Sequence, residues 1–215
     1  MKKMIILILA VIYAIPNISY AVSNDSRNDF MVGAKIGTNY SNVYDSEGEE
    51  FDADAKFGIA LGAFVAIPFG SFFGFQPEVL FSQKGFQGKG KVLGLDYSFT
   101  RTTSYIDIPL LFTLKPNPFM TLVVGPQYSY LVKQNDAFTS DLASNDVEQE
   151  FKNDDLNNNI LGFTAGVDIN INSVVLGARV GMDFMDNHGD GTSSTPRYKN
   201  VWGQFTVGIA IAPFK

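Results

Sequence analysis

The chain of 215 residues has no cysteine, a single histidine and, at 18%, few charged residues. The absence of cysteine excludes disulfides and cysteine-ligated metals. The charged share falls below the roughly 25% usual for soluble domains. A basic excess is missing as well: 16 Lys and Arg against 22 Asp and Glu leave a formal charge of −6. Nucleic acid is thereby disfavoured as a partner, because phosphate binding asks for a basic face. Nothing beyond the N-terminal region offers 18 consecutive apolar residues, so the mature chain has no candidate membrane-spanning helix. A mature chain of this kind enters a membrane only as a closed barrel.

What is present begins at the N-terminus. Lys2 and Lys3 precede an apolar run over 4–15, and Ser19 and Ala21 supply the small residues of a cleavage site. This pattern reads as a secretory signal peptide, 1–21, cleaved after Ala21. A membrane anchor fits less well, since the run is short and ends at Pro16. A short polar lead, 22–29, then precedes a single domain over 30–215.

The domain alternates with period 2. In 73–85 the residues Phe73, Phe75, Pro77, Val79 and Phe81 share one face; Gly74, Gln76, Glu78, Leu80, Ser82 and Lys84 share the other. Seven further stretches read the same way: 30–40, 56–67, 97–115, 119–133, 158–171, 174–186 and 198–214. Their connections alternate long and short, the short ones falling at 68–71, 116–118 and 172–173. The long ones cover 41–55, 86–96, 134–157 and 187–197. Tight turns at one end and longer loops at the other characterise outer-membrane barrels. The strands also match or exceed the roughly 9–11 residues needed to cross a bilayer at a tilt.

The two faces decide the solvent. One is bulky and apolar throughout. Its opposite mixes glycine, serine and threonine with Lys35, Glu78, Lys84, Asp107, Lys133, Asp168, Arg179 and Asp183. Charges and glycines on one face suit a narrow eight-stranded interior. Aromatics gather near the short turns (Phe69, Phe72, Phe73, Phe119) and near the long loops (Tyr40, Phe86, Tyr97, Tyr130, Tyr198), as two interfacial girdles would. The fold class is all-β: an eight-stranded antiparallel up-and-down transmembrane β-barrel.

Five blocks also resemble a known family: GAKIGTNYSN (33–42), FGIALGAFVAIPF (57–69), FQPEVLFSQKG (75–85), YIDIPLLF (105–112) and VGPQYSYLV (124–132). They are similar to PorT-like outer-membrane β-barrel proteins of Bacteroidetes-type bacteria, over nearly the whole mature chain. The resemblance implies the outer membrane of a Gram-negative cell, and for most members no assigned activity.

Candidate chemistry is sparse. His188 lies in DNHGDG, which opens like a calcium loop but has Arg197 where the twelfth-position glutamate would stand. A glycine-rich turn is the better reading. A hydrolase would need Ser, His and an acid to converge, and nothing on the strands is tied to His188. The thirteen acids of 41–55 and 134–157 read as solvated loops, with Lys89 and Lys91 between them. The inward residues Lys35, Gln76, Glu78, Lys84, Asp107, Gln127, Asp168, Arg179 and Asp183 read as a structural polar network filling the lumen. These residues lead us to expect a monomer in outer-membrane lipid, without catalytic, metal or cofactor site and without a wide pore. Its role is structural or surface-interacting, with an envelope or secretion protein as an alternative partner and lipid modification as a second alternative.

Overall fold

The computed structural model describes residues 25–45, 53–92, 95–140, 143–149, 157–187 and 198–212. The signal peptide, His188 and most of the loop acids lie outside these residues, as do the side chains of Lys89 and Lys91. Nine strands are present among them: β1 (Met31–Asp45), β2 (Asp54–Pro68), β3 (Phe73–Val92), β4 (Leu95–Asn117), β5 (Met120–Ser140), β6 (Ala143–Gln149), β7 (Asn159–Ile171), β8 (Val174–Asp183) and β9 (Tyr198–Ile211). Every pairing is antiparallel. β1 is flanked by β2 and β9, and β4 pairs with β5, so eight strands close into a barrel. β6 adds to the outer part of β5 alone.

The expected alternation holds along the wall. Ile36, Phe57, Val79, Phe112, Val180 and Phe205 point outwards and are exposed, while Asn39, Glu78, Ser82, Asp107 and Asp183 are buried inside. Phe69, Phe72, Phe73 and Phe119 are exposed beside the short turns, as Tyr40 and Tyr130 are towards the other end. The turns are built for tightness. Gly70 takes a φ of 105° in the β2–β3 turn, and Asn172 takes 54° in the two-residue β7–β8 turn, a conformation asparagine tolerates better than most residues.

Four features differ from expectation. The stretches 86–96 and 134–157 are not simply loops: β3 and β4 pair out to Val92 and Leu95, and β5 runs on to Ser140 and pairs with β6. The glycine and polar content of these stretches weakens the hydrophobic period in the sequence without breaking the backbone ladder. Phe86 and Tyr198, read as girdle residues, are buried and pack with Val43 inside the outer mouth. Lys133 leaves the inner row because β5 carries an extra residue where Ser104/Tyr105 oppose Lys133/Leu131. Past that bulge Gln134, not Lys133, continues the buried row. The lumen is also less uniformly small than the sequence suggests, since Phe64, Leu80, Leu111, Val123, Ile160 and Trp202 are buried there.

Glycine makes room for two of these large groups. A Cβ on Gly33 would stand 2.4 Å from the Phe64 ring, and one on Gly181 would stand 2.3 Å from the Trp202 ring. Gly181→Val therefore overpacks the lumen; we expect a loss of about 1–3 kcal/mol, read as a lower urea midpoint for refolding into lipid vesicles. Val180→Leu, on the lipid-facing side of the same strand, should leave the midpoint nearly unchanged.

Candidate functional site

The lumen is layered from the short-turn end outwards. At its base, Lys115 on β4 donates from Nζ to the carbonyl of Arg27 at 2.9 Å. Arg27 belongs to a 3-10 turn, Ser26–Asn28, whose cap Asp25 accepts from the Arg27 backbone and side chain. Residue 31 starts β1, which is three strands away from β4 round an eight-stranded wall. The lead must therefore cross the mouth to reach Lys115. The Arg27 guanidinium holds the Asp25 carboxyl below its ordinary range. Its contribution is present at neutral pH and is lost as the pH falls through that lowered value.

Above the base lies a charge quartet. Arg179 grips Asp168 through two bonds, Nη1 to Oδ1 at 2.6 Å and Nη2 to Oδ2 at 2.8 Å, and stands 3.6 Å from Glu78. Lys35 pairs with the other oxygen of Glu78. Gln76 donates to Glu78 at 2.9 Å and to Asp168 at 3.4 Å. Two cations meet two anions, all buried. Paired in this way, buried charges become tolerable; losing one partner typically costs about 3–5 kcal/mol.

The middle layer is neutral. Asn39 donates to Ser82 at 2.8 Å and accepts from Gln204 at 2.9 Å, while Gln127 donates to Ser129 at 3.2 Å. Farther out, Lys84 bonds Asp107 at 3.1 Å, with its ammonium 3.8 Å from the Trp202 ring centroid and 4.9 Å from that of Tyr105. Asp183 accepts from Asn200 at 2.7 Å. At the outer mouth Arg101 forms a two-pronged pair with Asp136, both contacts at 2.7 Å, and donates to the Tyr198 hydroxyl at 3.3 Å. Phe86, Phe99 and Tyr198 present their rings to the same guanidinium.

All nine inward residues singled out in the sequence are buried in this lumen, but they do not form one network. Lys35, Gln76, Glu78, Asp168 and Arg179 make the quartet layer, Lys84 and Asp107 a separate pair, and Gln127 a local contact. Asp183 bonds Asn200 rather than a cation. Sequence reasoning missed the Arg101–Asp136 closure and the Lys115 latch. Arg101 shares parity with Tyr105 and Asp107 in the stretch 97–115 read as a strand, a signal open to reading. Its partner Asp136 falls in the stretch 134–157 read as a loop. Among the described residues no cluster of three or more His, Cys, Asp or Glu could hold a metal.

The sequence over 22–189 matches the family model described as "Outer membrane protein beta-barrel domain". The chain belongs to this outer-membrane β-barrel family. The outer membrane of Gram-negative cells is therefore its setting, and the exposed apolar wall faces lipid there. No curated protein matches the sequence. Solved structures with a similar barrel include Ail of Yersinia pestis in complex with the heparin analogue sucrose octasulfate, 16% identical with a TM-score of 0.48, covering 85% of this chain and 99% of Ail. Neisserial surface protein A is 13% identical with a TM-score of 0.45, covering 84% and 96%. OprG from Pseudomonas aeruginosa is 13% identical with a TM-score of 0.39, covering 86% and 96%.

Two outcomes follow from these layers. Arg179→Met should cost about 3–5 kcal/mol in vesicle refolding, because it strands a buried anion. Pairing it with Asp168→Leu should restore much of the loss, since the remaining Lys35–Glu78 pair is neutral. Lys115→Ala should leave the barrel folded yet make the 22–30 segment much faster to cleave by added protease.

Proposed function

We propose that this protein is a sealed, non-enzymatic surface protein of the outer membrane that meets its partner through the sheet raised above the lipid. The supporting observation is the reach of β3, β4, β5 and β6. β4 alone has 23 residues, about 75 Å of strand at the usual rise per residue. The apolar band of an outer-membrane barrel is only about 25 Å tall. The excess lies on the long-loop side, past Tyr130, which pairs with Ile106. There β3–β4 and β5–β6 make one continuous sheet that stands clear of the membrane.

Within that sheet β6 pairs only with β5 among the described residues. Its far edge is a template on which an extended segment of another protein can add as a strand. A protein partner is therefore favoured over a small molecule. The lumen layers support a sealed barrel rather than a conduit, as expected for eight strands whose interior is filled by side chains. The finer PorT-like resemblance, carried by 75–85 and 105–112, is consistent with a partner in the cell envelope.

A photo-crosslinking residue at 147 on β6 should capture a discrete protein in cells. Replacing 143–149 with a short Gly-Ser linker should abolish copurification of that protein while the barrel still shows heat-shifted gel mobility. Equal capture from lipid-facing position 112 would contradict the proposal. In planar bilayers the purified barrel should give no steady channel current.

A further inference from the structure

The outer half of the lumen, between the quartet and the Arg101 closure, differs from every other layer in its bonding. Seven buried side-chain atoms among the described residues have no hydrogen-bond partner in the protein, and all but Thr113 Oγ1 belong to residues on this outer side. Asp183, 1% exposed, accepts from Asn200 through Oδ2 but receives nothing at Oδ1. Asn200, fully buried, leaves its own Oδ1 unbonded, and its Nδ2 stands 3.4 Å from the Tyr105 hydroxyl. A carboxylate and a hydroxyl thus gather round one amide.

The charge count is also uneven. The quartet balances two cations against two anions. Here Lys84 is bonded to Asp107 and stacked between two rings, so Asp183 brings a second carboxylate without a second base. A buried carboxylate oxygen with no donor is costly. A hard cation would relieve both faults at once, because hard cations take carboxylate, amide and hydroxyl oxygens. One uncompensated negative charge, with otherwise neutral ligands, suits a monovalent ion rather than calcium, whose sites use several carboxylates.

We propose that the barrel holds one hard monovalent cation, of the sodium type, in its outer lumen, with Asp183 Oδ1 as the charged ligand and Asn200 Oδ1 and the Tyr105 hydroxyl as neutral ones. The ion sits beneath the Arg101–Asp136 pair, which restricts its exchange. A ligand that binds only the folded state raises stability with its concentration.

The test uses the full mature chain folded in detergent, with sodium chloride compared against choline chloride at equal ionic strength and neutral pH. Sodium should raise the temperature of the heat-mobility transition in steps that follow the logarithm of its concentration. Asp183→Asn should abolish that difference, whereas Asp186→Asn, outside the lumen, should keep it. Sodium-23 relaxation should show a bound fraction in the native protein that Asp183→Asn removes. Identical transitions in the two salts, with no bound sodium signal in the native protein, would mean that Asp183 holds a proton or water and would overturn the proposal. Both of those measurements use the native protein alone, so they decide the matter even if the variant fails to fold. A sodium effect surviving in Asp183→Asn would overturn the proposal equally.

Discussion

Lipid offers no hydrogen-bond partner, and that constraint organises the whole molecule. Each backbone group left open in the membrane would cost several kcal/mol, so the strands must close on themselves. The pairing of β4 with β5 and of β1 with β9 leaves no free edge at membrane depth. Closure with eight strands makes a narrow bore. The bore in turn selects the inner row: glycine where an aromatic ring crosses, as at Gly181 beneath Trp202, and charged groups mostly in pairs, as Arg179 with Asp168.

Inside the wall, the physics inverts what a soluble domain does. Apolar residues are spent on the outer surface, while the core is built largely of hydrogen bonds and ion pairs. Such pairs add less net stability than apolar packing of the same volume. They do fix register, because slipping a strand by one residue would carry Lys35, Glu78, Asp168 or Arg179 into lipid. The quartet is thus best understood as a register device that also blocks the bore. The Lys115 latch and the Arg101 closure work at the two ends, where the wall meets water and backbone groups no longer need the sheet.

Much of this was legible in the sequence, and for one reason. A side-chain period of 2 in a wall with unlike solvents on its two faces sorts residues reliably, so Val79 and Glu78 could be placed from the alternation alone. The errors lie where that condition fails. Above the membrane the apolar period lapses in the sequence, and the outer end of β3 from Phe86 onwards looked like a loop. Phe86 shares parity with Ser82 and Lys84, so carrying the alternation one step farther would have turned it inwards. The bulge that displaces Lys133 leaves no mark in the residues themselves. Which anion pairs with which cation is a matter of strand stagger round the barrel. Hence Asp183 could be placed inside, but not seen to lack a base.

Every layer of the lumen depends on the apolar face meeting lipid and the polar face meeting a closed interior. The protein has one tryptophan, Trp202, and it is buried in the lumen. Fluorescence in vesicles whose acyl chains carry bromine tests this arrangement directly. We expect weak quenching of native Trp202 and strong quenching when the sole tryptophan is moved to the wall, as Phe112→Trp with Trp202→Phe. Strong quenching of Trp202, with the residue at 112 protected, would contradict the arrangement.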